Sequence, residues 1–220
     1  MGFLQKKSTG EVDRETVYLS GRHFIGVDAT FKRFRSDAHI ENFEKMTFFN
    51  REKLQVAMTY TLQYFLIPGE LKYLHDAYGL NYRSVLRETA SSAIKNAASG
   101  FTIDEYRMKR DMVKAALFEA ARKALGGTCC LKNCDGRFKC YPGCKPYSTC
   151  SIKDKGLFVF VKYFQLQEVD ITEEQEMKFL RRVIEQEKQD TEEYKQRDKV
   201  WVTAFSYFSE PGPGLFIKSI

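Results

Sequence analysis

Between Leu54 and Leu66 every second residue is bulky and apolar: Leu54, Val56, Met58, Tyr60, Leu62, Tyr64 and Leu66 alternate with Gln55, Ala57, Thr59, Thr61 and Gln63. Successive side chains of a strand point to opposite faces, so this alternation demands a long β-strand with one face against a core. Ile67-Pro68-Gly69 ends it, because proline has no amide to donate to a ladder. Shorter strands are predicted at Thr16–Ser20, His23–Val27 and Lys45–Phe49, with turns at Ser20-Gly21 and Asn50-Arg51, giving a meandering antiparallel sheet.

Beyond this strand the spacing turns helical. Leu71, Leu74 and Tyr78 mark a short helix, and Val85, Leu86, Ala90, Ala93, Ile94 and Ala97 share one face of a longer one that stops at Gly100. Thr102-Ile103-Asp104-Glu105 reads as a capping box, in which the Thr102 hydroxyl accepts from the Glu105 amide and the Glu105 carboxylate reaches back. It opens a helix with Tyr106, Val113, Leu117, Ala120 and Ala124 on its face, ended by Gly126-Gly127. Leu157–Val169, rich in Phe, Val and Tyr, reads as a strand. Thr172-Glu173-Glu174-Gln175 is a second capping box, opening a helix over about Glu173–Lys199. Its apolar face holds only through Met177, Leu180, Val183 and Ile184, the mark of a helix that projects from the core or pairs with a neighbour. After it Trp201, Val202, Phe205, Tyr207 and Phe208 crowd together before Pro211-Gly212-Pro213-Gly214. That cluster fits a membrane interface or a strand packed back on the domain.

The fold class that follows is α+β: a small antiparallel sheet packed with helices, then a charged projecting helix. The organisation is an N-terminal segment at 1–16, a domain at 17–187 with a cysteine-rich insertion at 127–156, and a charged helix end with an aromatic Pro/Gly tail at 188–220. With 43% hydrophobic and 29% charged residues, the chain is neither wholly disordered nor a polytopic membrane protein. The net charge of +6 is spread along the sequence and amounts to a mild surface bias. The longest mostly apolar stretches, Tyr60–Pro68 and Leu157–Phe164, fall far short of the roughly 20 residues that span a bilayer. Met1-Gly2-Phe3-Leu4-Gln5-Lys6 has no signal-peptide core, and Lys6 stands where a myristoylation motif carries Ser or Thr.

All six cysteines, Cys129, Cys130, Cys134, Cys140, Cys144 and Cys150, fall in one segment with Gly127, Gly136, Pro142, Gly143 and Pro146. The segment lacks the apolar residues for a core of its own, so cross-links must supply its order. Disulfides are the first reading and place it in an oxidising compartment, whether extracellular, lumenal or the mitochondrial intermembrane space. Zinc held by Cys130, Cys134, Cys140 and Cys144 is the rival, since both pairs have ligand spacing, although C-x-x-C is absent and no histidine lies nearby.

Catalytic residues are not expected. His23, His39 and His75 fall in different elements, and Asp104/Glu105 and Glu173/Glu174 sit at helix starts where capping accounts for them. No phosphate loop, nucleophile elbow or zinc-protease motif is present, so no cofactor is expected. Lys32-Arg33-Phe34-Arg35 is too short a basic-aromatic run for nucleic-acid binding.

Three stretches together resemble the SPFH family, which groups stomatin, prohibitin and flotillin and is also called band 7 or PHB. They are Ser20-Gly21-Arg22-His23-Phe24-Ile25-Gly26 after the first strands, the alternating strand followed by Pro68, Leu71 and Leu74, and the paired-helix region. The last runs from Val85 through Ile94-Lys95, Phe101-Thr102 and Glu105 to Arg110 and is the most specific. The resemblance implies a domain that lies on a membrane and joins copies, or other SPFH-like chains, through its sheet domain and a charged coiled coil. It further implies a scaffold without an active site, which organises membrane patches and partner membrane proteins. Two features depart from the pattern: the cysteine insertion, and a coiled coil that stops near Lys199. An alternative function is a disulfide-stabilised extracellular or lumenal recognition module displayed on an SPFH-like domain.

Overall fold

The computed structural model describes residues 1–132 and 140–208 and divides the chain into two units, Met1–Asp170 and Ile171–Ile220. The first is α+β, built on two three-stranded sheets. In one, β1 (Gly2–Lys6) runs antiparallel between β2 (Val12–Tyr18) and β3 (Ala29–Arg33). In the other, β5 (Gln55–Leu66) lies between β4 (His39–Phe49) and β6 (Val159–Ile171). Both differ from the single meander predicted. Residues 1–16, set apart by the sequence reading, supply β1 and most of β2, because Phe3 is fully buried with its ring edge-on to Phe34 and His75. His23–Val27 is loop rather than strand.

The long alternating strand forms as expected, with Val56, Met58, Tyr60, Leu62, Tyr64 and Leu66 all at most 4% exposed. Its partner β4 is twice the predicted length, and the reason is polar. His39 and Glu41 point inward with Phe43, whereas the apolar Ile40 is half exposed, which inverts the hydrophobic signal of that strand. A bulge at Lys45, where φ is 46°, then shifts the register between Phe43 and Met46.

Helices α1 (Leu71–Tyr78) and α2 (Tyr82–Ala98) follow the sheet. The capping box at Thr102 and Glu105 forms and opens α3 (Ile103–Met108), and the chain breaks at Lys109 before α4 (Arg110–Gly126), where one helix was predicted. Leu86, Ala90, Ile94 and Ala98 of α2 are buried at four-residue spacing, as are Val113, Leu117, Ala121 and Leu125 of α4. Two rows of that spacing interdigitate closely where alanines keep them low. Ala121 and Leu125 therefore take the inward positions that the sequence reading gave to Ala120 and Ala124.

The second unit is dominated by α5 (Glu173–Phe208). Its opening turn is closed by the Thr172 carbonyl, which accepts from the Gln175 and Glu176 amides at 2.9 and 3.0 Å. The helix passes Lys199 and carries the backbone of 201–208, so the reading of Trp201–Phe208 as a strand is corrected: the spacing of that run continues a helix. The Pro/Gly tail lies outside the described residues.

Candidate assembly surfaces and the cysteine insert

Several ionisable groups of the first unit are held in ion pairs. Glu41, 4% exposed, holds Arg83 and Arg87, and the Arg87 guanidinium also lies 4.5 Å over the Phe43 ring. A groove of about 560 Å³ between the first sheet and α1 is lined by Lys6, Glu11, Asp13, Arg14, Glu15, Lys72 and Asp76. Most of its charges neutralise in pairs: Arg14 with Asp76, Lys72 with Glu15, Lys6 with Glu11. The histidines sit in separate places, His23 beside Tyr18 and Phe31, His39 stacked on Tyr64 at 4.9 Å, and His75 between Phe3 and Phe34. Burial depresses the pKa of both His39 and His75 and keeps the neutral imidazole.

Among the exposed apolar side chains are those of two surfaces. The loop between β2 and β3 presents Leu19, Phe24 and Val27, at 59%, 104% and 95% exposure, beside the exposed Arg22. Lys7 holds this loop by donating to the Val27 carbonyl at 3.2 Å. On α5, Met177, Leu180, Val183 and Ile184 are 41–52% exposed, and Tyr194 64%. Met177, Leu180 and Ile184 start a three-four repeat that resumes at Tyr194 and reaches positions 201, 205 and 208, which hold Trp, Phe and Phe. Between them Glu187, Thr191 and Asp198 occupy the same register. The sequence reading followed the stripe only to Ile184, and the sign of its return was the continuous spacing across those polar positions.

The insert opens and closes at two glycines. At Gly127 and Gly156, with φ of 72° and 61°, the outgoing and returning backbones cross so closely that a Cβ on Gly127 would lie 2.1 Å from the Asp154 carbonyl oxygen. The Leu157 amide donates to the Leu125 carbonyl at 2.7 Å, and Thr128 to Asp154 at 2.9 Å, so α4 and β6 are joined across the neck. Lys155 Nζ lies 2.9 Å from Glu70 Oε1, both side chains being about one-tenth exposed. Burial alone would lower the Lys155 pKa, but Glu70 and Tyr147 outweigh it and leave it raised. Tyr141 docks the other side: its hydroxyl donates to the Val161 carbonyl, its ring stacks on Phe160 at 5.5 Å, and the Arg122 guanidinium covers it at 4.2 Å.

Within the insert, bridges join Cys129 to Cys150 and Cys130 to Cys144, and Cys140 is also disulfide-bonded. The sulfurs of Cys130, Cys140 and Cys144 lie within 4.8 Å of one another, while Cys134 lies outside the described residues.

The residues that carried the family resemblance hold distinct jobs. Arg110 ties α4 to β6 through the Gln167 carbonyl at 2.6 Å, Glu105 completes the cap of α3, and Gly21–Gly26 belong to the exposed loop. Residues 2–200 match the model of the SPFH domain / Band 7 family, and the chain belongs to that family. Its members are generally membrane-associated scaffolds that oligomerise and are generally not enzymes. No match of significance is found among curated proteins. Among the described residues, no helix is long and apolar enough to cross a membrane.

Proposed function

We propose that this chain is a non-enzymatic scaffold that assembles with copies of itself or with other SPFH-like chains against a membrane surface and organises the membrane patch and partner proteins there. The observation that carries this reading is the exposed apolar row of α5, Met177, Leu180 and Ile184, at the spacing by which helices pair. The loop tip at Phe24 and Val27 suits the bilayer interface, where apolar side chains leave water and Arg22 meets anionic headgroups. The bridged cysteines favour a compartment that keeps thiols oxidised, on the extracellular, lumenal or intermembrane-space side.

A second reading makes the cross-linked insert a recognition module that the domain merely displays, and the closed glycine neck supports it. Removing residues 128–155 and linking the neck separates the two. Sedimentation of the shortened chain at unchanged oligomer size, with loss of a partner, identifies display. Disassembly on removal places the insert in the scaffold itself.

A further inference from the structure

We propose that the cysteine insert becomes a zinc site on reduction, with Cys130, Cys140 and Cys144 as its three thiolate ligands. Zinc–thiolate bonds of about 2.3 Å in a tetrahedron set sulfurs about 3.8 Å apart. Cys130 and Cys144 are bonded to each other and the Cys140 sulfur lies within 4.8 Å of both, so reduction frees three thiols already gathered at one place. Cys129 and Cys150, bonded to each other, stand outside this group.

The backbone that presents these sulfurs is held by contacts other than the bridges. Cys130 donates its amide to the Lys145 carbonyl at 2.8 Å, and Lys145 donates to Thr128 at 2.9 Å, which fixes the two cysteine-bearing segments side by side. Cys140 and Cys144 flank a turn in which the Cys144 amide donates to the Tyr141 carbonyl at 3.3 Å, with Gly143 at φ 76°. Tyr141 at the centre of that turn is the side chain docked on Val161 and Phe160. A cysteine pair separated by three intervening residues across a docked turn, facing a third from a neighbouring segment, is within the ligand spacing of structural zinc sites. Arg122 lines the same small cavity as Cys130 and Cys140, with its guanidinium paired to Glu119.

The chemistry balances in two steps. Each bridge takes two electrons from the reductant and yields two thiols: two reductant thiols give up their protons and leave as a disulfide, or a phosphine leaves as its oxide with one water supplying the oxygen and both protons. Zinc then displaces the protons of Cys130, Cys140 and Cys144. This inference does not rest on the scaffold reading, because its readout is metal content and not oligomer size.

The test uses the full chain before and after reduction with a water-soluble phosphine, titrated with Zn²⁺ and with Co²⁺ as spectroscopic stand-in. The expected result is one metal per chain after reduction and none before, with sulfur-to-cobalt charge-transfer bands and about three protons released per zinc at neutral pH. Serine at position 130, 140 or 144 should weaken binding at least about tenfold, while Cys150→Ser, equally a loss of one thiol, leaves it unchanged. Metal-free reduced protein overturns the proposal, and so does an affinity that survives all three substitutions or falls equally with Cys150→Ser. Proton release on the unsubstituted chain keeps the test decisive should a variant misfold, since near-zero release also overturns it.

Discussion

The sheet around β5 and the insert between Gly127 and Gly156 are ordered by opposite means. Along β5 six apolar side chains are at most 4% exposed, and order there follows from surface removed from water. Between Thr128 and Lys155, among the described residues, the only buried side chain is a lysine, and order follows from cross-links, a glycine crossing and one docked tyrosine. The difference teaches where change is tolerated. A segment with no core of its own can be rebuilt or re-bridged without unfolding its host, provided the few contacts that reach the host are kept.

Those contacts are the places to break the comparison. Lys155→Met leaves Glu70 as a buried, unpaired carboxylate and should cost about 4 kcal/mol of domain stability, more than any other change in the insert. Adding Glu70→Gln should recover most of it, and denaturant unfolding of the two variants checks both. Leu62→Ala in β5 should cost about 3 kcal/mol and shift the melting of the whole first unit, as a core cavity does. Gly156→Ala, which forces a side chain into a left-handed backbone against the Leu125 carbonyl, should cost about 2 kcal/mol and loosen the insert first, read by hydrogen exchange at the neck. The smallest effect is one of pH. His39 and His75 have depressed pKa values when folded, so their contribution is complete above the ordinary value of 6.5 and is lost as pH falls below it. The melting temperature should therefore drop as pH falls below 6.5, and His39→Phe should flatten that drop.

Periodicity alone read β5, most of the inward face of α2 and, at Val113 and Leu117, the first half of that of α4, since their buried residues are apolar and regularly spaced. It failed at β1, where five residues are too few to show a period and Phe3 is the only fully buried side chain. It failed in β4 because Glu41 is buried through ion pairs that come from a helix more than 40 positions away, which no local pattern reveals. The cysteine segment was legible as cross-linked, but its pairing was not, because pairing depends on the crossing at Gly127 and Gly156 and on where Tyr141 docks. The apolar stripe of α5 was half legible: polar residues at 187, 191 and 198 hid the return of the repeat at Tyr194.

The scaffold account stands on that stripe. Sedimentation equilibrium of the full chain, compared with a Leu180→Asp, Ile184→Asp variant of unchanged helix content, tests it most directly. The account predicts a multimer that falls to single chains when two charges enter the seam. A variant that sediments at the mass of the unsubstituted chain would contradict it.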